Sequence, residues 1–251
     1  MYNPFSLLNK KILVTGASSG IGKSIAIQCS KLGAHVIITA RSEDKLSQTF
    51  NELEGSGHQL ICADLTLETG VELLMMNLPK LDGVVHNAGK SVKRELCSFV
   101  SNSSIKETIA INLEAPIMLQ KAILAKKLLN KDSSIIFIAS RAASSPSFGN
   151  AVYSASKGAI ISYSKVLALE LASRNIRVNS ICPGMVWTDM ILSGSSLTLE
   201  DLKLSEKKYP LKRFGTPEDI AFLSVYLLSN ASSWMTGSSI DITGGGEGLL
   251  T

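Results

Sequence analysis

Tyr153 and Lys157 stand four residues apart in the stretch Tyr-Ser-Ala-Ser-Lys. On a helix that spacing puts both side chains on one face. An ammonium beside a phenol favours the phenolate and lowers the tyrosine pKa from its free value of about 10, which suits the pair to general acid or base work. The spacing alone also fits an ordinary surface pair, so its weight rests on what converges with it. Ser140 ends an apolar run ahead of Tyr153, where its hydroxyl can emerge beside the phenol. Asn112 lies in Ala-Ile-Asn-Leu, an apolar setting in which its amide needs a partner or a role.

A second constellation is the run Thr-Gly-Ala-Ser-Ser-Gly-Ile-Gly ending at Gly22. It falls between a strand-like and a helix-like stretch. Glycines there let the backbone approach a phosphate, and the helix N-terminus offers free N–H donors and partial positive charge, a seat for a dinucleotide pyrophosphate. The same residues from Ala17 to Ser24, with Lys23, nearly match a P-loop, which would make the chain a nucleotide hydrolase or kinase. Glycines at 16, 20 and 22 suit the dinucleotide turn better, and the Tyr–Lys constellation has no use in a P-loop enzyme.

These residues need a scaffold, and the chain alternates short β-branched runs with amphipathic stretches, the pattern of parallel strands joined by crossover helices. Strands are expected at 11–15, 35–40, 59–63, 83–86, 134–139, 176–181 and 239–242. Ile21, Ile25, Ala26 and Cys29 mark one face of the first helix. Ser42 is placed to cap a polar helix towards Glu54. A long helical region spans 103–130, with Pro116 a kink or break, and another spans 151–173. The expectation is an α/β fold, a Rossmann-type doubly wound parallel sheet of about seven strands flanked by helices, forming a single domain over 1–251. The irregular stretch 184–216 follows a strand and is expected to be a substrate lid, since ligands of open α/β sheets bind beyond the carboxyl ends of the strands.

Composition agrees with an ordinary globular protein: 45% hydrophobic, 18% charged, net charge +4. There is no dense basic block for nucleic acid, and no apolar run long enough to suggest a membrane span. Cys29, Cys62, Cys97 and Cys182 lie far apart without Cys-x-x-Cys spacing, so no metal site is expected and free thiols in a reducing cytoplasm are. The N-terminal stretch lacks the apolar segment of a signal peptide.

Together these motifs resemble the short-chain dehydrogenase/reductase family, over Lys11 to Gly246. They comprise the glycine turn, Asp64-Leu65, His-Asn-Ala-Gly ending at Gly89, Asn112, Ser140, the Tyr-Ser-Ala-Ser-Lys run, Pro-Gly-Met-Val-Trp-Thr ending at Thr188, and Arg-Phe-Gly-Thr-Pro-Glu-Asp from Arg213. His86 stands where the family usually has Asn, as a catalytic histidine or a structural substitution. The resemblance implies that Tyr153 protonates a carbonyl oxygen held by Ser140 as hydride arrives. Lys157 would lower the tyrosine pKa and bind the nicotinamide ribose, and Asn112 would position a proton-relay water. It also implies a cofactor seat of Gly16, Ser18, Ser19, Gly20, Ile21, Gly22, Arg41, Asp64, Leu65, Asn87, Ala88, Gly89, Tyr153, Lys157, Pro183, Gly184, Val186 and Thr188, with Thr188 on the carboxamide.

The end of the second strand, Thr39-Ala40-Arg41-Ser42, has no carboxylate to accept from a ribose and has a guanidinium suited to a 2′-phosphate, so NADP(H) is favoured over NAD(H). Ser19 occupies the place of the second basic residue that the family often has. The likeness is greatest to 3-oxoacyl-[acyl carrier protein] reductases, whose acidic carrier would meet Lys131 and Arg174, with Lys126 and Lys127 nearby, beside the active-site mouth. Sugar, steroid and small-alcohol dehydrogenases share every motif, and a noncatalytic NADP sensor would keep only the glycine turn. Trp187, Met190, Ile191 and Leu192 suggest a partly apolar substrate or a packed lid. The family assembles as dimers and tetramers through the helices of Asn112 and Tyr153 and through the C-terminal strand, and Leu249 and Leu250 fit such burial.

Overall fold

Apolar residues of the strands alternate between two faces, and each face acquires its own core. In a computed structural model, which describes residues 2–145, 147–194 and 198–246, the chain runs β1 (Lys11–Thr15), α1 (Gly20–Lys31), β2 (His35–Ala40), α2 (Glu43–Asn51), β3 (Gln59–Cys62), α3 (Glu68–Asn77) and β4 (Leu81–His86). It continues with α4 (Asn102–Ile109), a π-helical turn (Ala110–Glu114), α5 (Ala115–Ala125), β5 (Leu129–Ile138) and α6 (Ala151–Leu171). The last elements are β6 (Arg177–Pro183), α7 (Asp189–Gly194), α8 (Leu199–Lys208), α9 (Pro217–Leu228) and β7 (Ser239–Ile242). The strands form one parallel sheet in the order β3-β2-β1-β4-β5-β6-β7. Leu13, Ile37, Val84, Ile135 and Phe137 face a core closed by α3, α5 and α6, while Ile12, Val14, Val36, Ile38 and Val85 face one closed by α1 and α9. Burial on both faces is what a parallel sheet requires.

The strand order reverses between β1 and β4, and the crevice at their carboxyl ends is where such sheets take ligands. Every element expected to carry the site is present, but several differ in detail. The helical region expected over 103–130 ends at Ala125, and β5 begins at Leu129. Lys127 has φ +54, which ends the helix. The break at Pro116 takes the form of the π turn just before it. Proline has no N–H to give the Asn112 carbonyl and its ring crowds that carbonyl, so the backbone widens there. Ser42 precedes α2 but makes no side-chain cap.

The stretch 184–216 is not irregular. It carries α7 and α8, the latter started by a capping box in which Thr198 and Asp201 bond reciprocally. Leu202, Tyr209 and Phe214, with Met185, Trp187 and Ile191, form a small core of their own beneath it. Glu206 joins its parts, its Oε1 accepting from Trp187 Nε1 at 2.7 Å and from the Phe214 amide at 2.9 Å.

Contrary to expectation, the segment Asn102–Ala125 is long and apolar enough to cross a membrane by length and composition. Its Ala115, Leu119 and Ile123 are in the core against the sheet, as in a core helix.

Candidate active site

The glycine turn is built by packing. Thr15 Oγ1 donates to the Val85 carbonyl and accepts from the amides of Asn87 and Ala88, joining the ends of β1 and β4. The Asn87 side chain donates back to the carbonyls of Thr15 and Gly16. Gly16 has φ +65 and a Cβ there would lie 2.8 Å from Ala88 Cα, while a Cβ on Gly22 would meet Asn87 Nδ2 and the Gly16 carbonyl at 2.4 Å. Gly22 therefore serves close approach within the protein and does not line the cavity. The P-loop alternative fails on the same helix: Lys23 Nζ pairs with Glu52 at 2.8 Å, and neither Lys23 nor Ser24 reaches the cavity.

A cavity of about 840 Å³ opens at the carboxyl edge of the sheet. It gathers Gly16, Ser18, Ser19, Gly20, Ile21, Arg41, Asp64, Leu65, Asn87, Ala88 and Gly89, then Ser140, Tyr153, Lys157, Pro183, Gly184, Val186 and Thr188. Of the residues expected at the site, Gly22 and Asn112 alone do not line it. Asn112 is 2% exposed and its amide is engaged: Nδ2 donates to the Lys90 carbonyl at 3.0 Å and to Ser156 Oγ at 3.2 Å, and Oδ1 accepts from the Lys90 amide at 2.9 Å. Its side chain thus braces the loop after β4 against α6, beneath the cavity wall.

Ser140 opens a short 3-10 turn after β5, and its Oγ accepts from the Ala142 amide at 3.1 Å. A lone pair taken in this way leaves the hydroxyl proton to point at Tyr153. Burial raises the Tyr153 pKa, and the hydrogen bond with Ser140 opposes that rise. The depression expected from Lys157 is not found. Lys157 Nζ lies 5.9 Å from the phenol ring centroid and donates instead to the Ile138 carbonyl at 2.8 Å. Burial pushes this ammonium down to about 8, with Cys182 opposing. The protein around the pair therefore favours a neutral phenol and a readily discharged lysine.

The far end of the cavity is lined by Thr39, Arg41, Lys45, Asp64 and Leu65. Burial pushes the Asp64 carboxyl up, but hydrogen bonds from the Thr66 hydroxyl and amide, with the Arg41 charge, hold it below the usual range. Arg41 Nη1 is 3.9 Å from that carboxylate. Lys45 was not anticipated, although its position four residues after Arg41, on the first turn of α2, was legible as a second cation.

The residues fit a dinucleotide on two observations. Ser19 makes no side-chain cap, so the first-turn amides of α1 are left for a ligand, and the buried Thr39 Oγ1 at the cavity wall has no partner within the protein. Among the described residues no group of His, Cys, Asp or Glu could hold a metal.

His86 is not a catalytic residue in this geometry. It is 4% exposed, outside the cavity, stacked on Phe137 at 4.6 Å, with Nε2 and Gln120 Oε1 2.9 Å apart. Burial pushes its pKa down to about 4 against the opposing Gln120 bond. Met190 and Ile191 line the cavity, whereas Trp187 packs into the small core with Leu202, Tyr209 and Phe214. Leu249 and Leu250 lie outside the described residues, as does the side chain of Leu192. Within one chain Lys131 and Arg174 do not line this mouth. Both sit at the amino edge of the sheet, where Arg174 donates to the Leu129 carbonyl, and α6 separates Arg174 from Tyr153 by about 30 Å at 1.5 Å per residue.

A family model described as Enoyl-(Acyl carrier protein) reductase matches residues 16–247. The chain is 37% identical over 239 residues to a 3-oxoacyl-[acyl-carrier-protein] reductase FabG of Rickettsia bellii, covering 95% of this chain and 97% of that one. It is 34% identical over 247 residues to an L-xylulose reductase of Caenorhabditis elegans, covering 96% and 97%. A crystal structure of 3-ketoacyl-(acyl-carrier-protein) reductase from Brucella melitensis complexed with NADH superposes with TM-score 0.84 at 28% identity, covering 96% and 99%.

Proposed function

The chain belongs to the short-chain dehydrogenase/reductase family and is an NAD(P)-dependent oxidoreductase, and from that premise we propose that it reduces a ketone to a secondary alcohol with NADPH, 3-oxoacyl thioesters being the leading substrate class. The observation that carries this reading is the meeting of Ser140, Tyr153 and Lys157 at one wall of the cavity whose other end presents Arg41 and Lys45.

The residues that would hold the cofactor are the first-turn amides of α1 for the pyrophosphate, Arg41 and Lys45 for a 2′-phosphate, Lys157 for the ribose and Thr188 for the carboxamide. When bound, the nicotinamide supplies the hydride. Tyr153 holds the proton to be given to the carbonyl oxygen, and its raised pKa keeps that proton in place at neutral pH. Ser140 fixes the same oxygen by a hydrogen bond, held in place by the Ala142 amide. Lys157, discharging near pH 8, can pass a proton towards the phenol. Asn112 orders the backbone of Lys90 and the side chain of Ser156 around this relay. The lid residues Met190 and Ile191 cover the substrate with apolar surface.

Exposed Met118 on α5 and Val166 and Leu169 on α6, at 44%, 55% and 80%, favour pairing of these helices in a dimer, with Trp234 and Phe222 a second apolar face for a tetramer. The four cysteines are free, including exposed Cys97, which suits a cytoplasmic location.

A panel of ketones and 3-oxoacyl thioesters assayed with NADPH tests the proposal. Tyr153→Phe should abolish turnover and leave NADPH affinity nearly unchanged; retained turnover refutes the assignment.

A further inference from the structure

Charge around the cavity is almost entirely matched within the protein. Lys90 pairs with Glu107, Arg41 with Asp64, Arg141 with Asp241, and Lys157 with the Ile138 carbonyl. Two cations that line the cavity have no ionic partner among the described residues, Lys45 and Arg94. Lys45 belongs to the end lined by β2 and β3. Arg94 belongs to the other, where Ser147 and Asn150 lead into α6.

The backbone of Arg94 is fixed in place. The Glu95 amide donates to the Gly149 carbonyl at 3.0 Å, and Gly149 has φ +72. A Cβ on Gly149 would lie 2.8 Å from Glu95 N and 3.1 Å from Arg94 Cβ. The loop bearing Arg94 is therefore pressed onto the segment that enters α6, and Tyr153 follows Gly149 by four residues, a span of at most about 14 Å. Val92, Met185 and Ile191 add apolar surface to the wall of the same cavity. A guanidinium without an ionic partner among the described residues, in a partly apolar cavity, presents its planar fork to an incoming anion.

We propose that Arg94 binds an anionic group carried by the carbonyl substrate, a carboxylate or a phosphate, and so selects charged substrates over neutral ones. This rests on the reductase reading and narrows it. The anion is either the acid group of a small oxoacid or a phosphate on the arm of a thioester.

The test uses matched pairs with the NADPH-loaded protein: levulinate against methyl levulinate, and acetoacetyl-coenzyme A against the acetoacetyl thioester of N-acetylcysteamine. The expected result is a preference of about tenfold in kcat/KM for the charged member of at least one pair, shrinking with added salt. Arg94→Gln should remove that preference, Arg94→Lys should keep part of it, and Lys93→Gln, which alters a neighbouring cation outside the cavity, should leave it intact. The pair that responds identifies the anion's source. Absence of preference in both pairs, or its persistence in Arg94→Gln, overturns the proposal. If no ketone is turned over, the reductase reading fails, and calorimetry of levulinate and coenzyme A on the NADPH-loaded protein then decides the anion site: binding lost in Arg94→Gln upholds it, and binding equal in both proteins, or absent from both, overturns it.

Discussion

Arg141 Nη1 lies 2.8 Å from Asp241 Oδ2, tying the turn that begins at Ser140 to β7, the last strand of the sheet. The same nitrogen donates to Ser144 Oγ at 2.9 Å, so one guanidinium closes the turn on itself and anchors it to the sheet. Ser140 depends on that turn, because its Oγ is held by the Ala142 amide inside it.

Asp241→Asn should therefore lower kcat about tenfold through misplacement of Ser140, with little change in NADPH affinity. The ion pair itself is half exposed, at 23% and 38%, and should contribute only about 0.5–1 kcal/mol to stability. A double-mutant cycle of Arg141→Gln and Asp241→Asn, read by both kcat and urea denaturation, separates the two effects. Equal loss in stability and no loss in kcat would show the pair to be structural alone.

Arg41 and Lys45 should divide NADPH from NADH. Both are exposed at the end of the cavity, and the Asp64 carboxylate near Arg41 tempers only one of them. Arg41→Ala should raise the KM for NADPH about tenfold, Lys45→Ala by less, and neither should move the KM for NADH appreciably. The NADPH preference should weaken with salt, since these contacts face solvent. Steady-state kinetics with both cofactors at two ionic strengths check this, and an NADH preference in the unaltered protein overturns the assignment.

Much of this site could be read before the structure, for a physical reason. The strands are buried on both faces and read as plain apolar runs, and the site residues sit at their ends, where Thr15, Asn87 and Ser140 interrupt those runs. What escaped depends on partners distant in sequence. Nothing local in Asn112 announces that the Lys90 backbone and Ser156 occupy its amide. Burial, which decides the Tyr153 and Lys157 pKa values, is likewise a property of the whole fold. Helices α7 and α8 are hard to read from sequence because the stretch 184–216 is rich in scattered Ser, Gly and Lys, although Thr198 and Asp201 spell the start of α8. For Lys131 and Arg174 the local sequence does not tell which edge of the sheet an element end occupies, and within one chain both lie at the amino edge.

Lys157 gives a stability test independent of turnover. Its folded pKa of about 8 lies below the ordinary lysine value of 10.5, so the unfolded chain binds more protons between those values. Stability should therefore rise with pH from about 8 to 10.5, by up to about 3 kcal/mol from this group. Lys157→Met removes that contribution. The difference between unaltered and Lys157→Met proteins in urea denaturation, followed across pH 7–10.5 without cofactor, should move in favour of the unaltered protein as pH rises. A flat difference would mean that the ammonium is not desolvated.

His86 supplies the acid counterpart. Its ring is stacked on Phe137 and paired with Gln120 in the core, and burial holds its pKa at about 4, below the ordinary 6.5. The unfolded chain binds the extra proton between these values, so stability should fall as pH drops from about 6.5 to 4, by up to about 3 kcal/mol from this group. His86→Asn should flatten that part of the profile at a cost in packing of about 1–2 kcal/mol at neutral pH, because the stacked ring is lost. Since His86 stays neutral and away from the cavity, the pH dependence of kcat above pH 5 should be the same in both proteins. A kcat inflection near pH 6 that vanishes in His86→Asn would instead give this histidine a part in proton transfer.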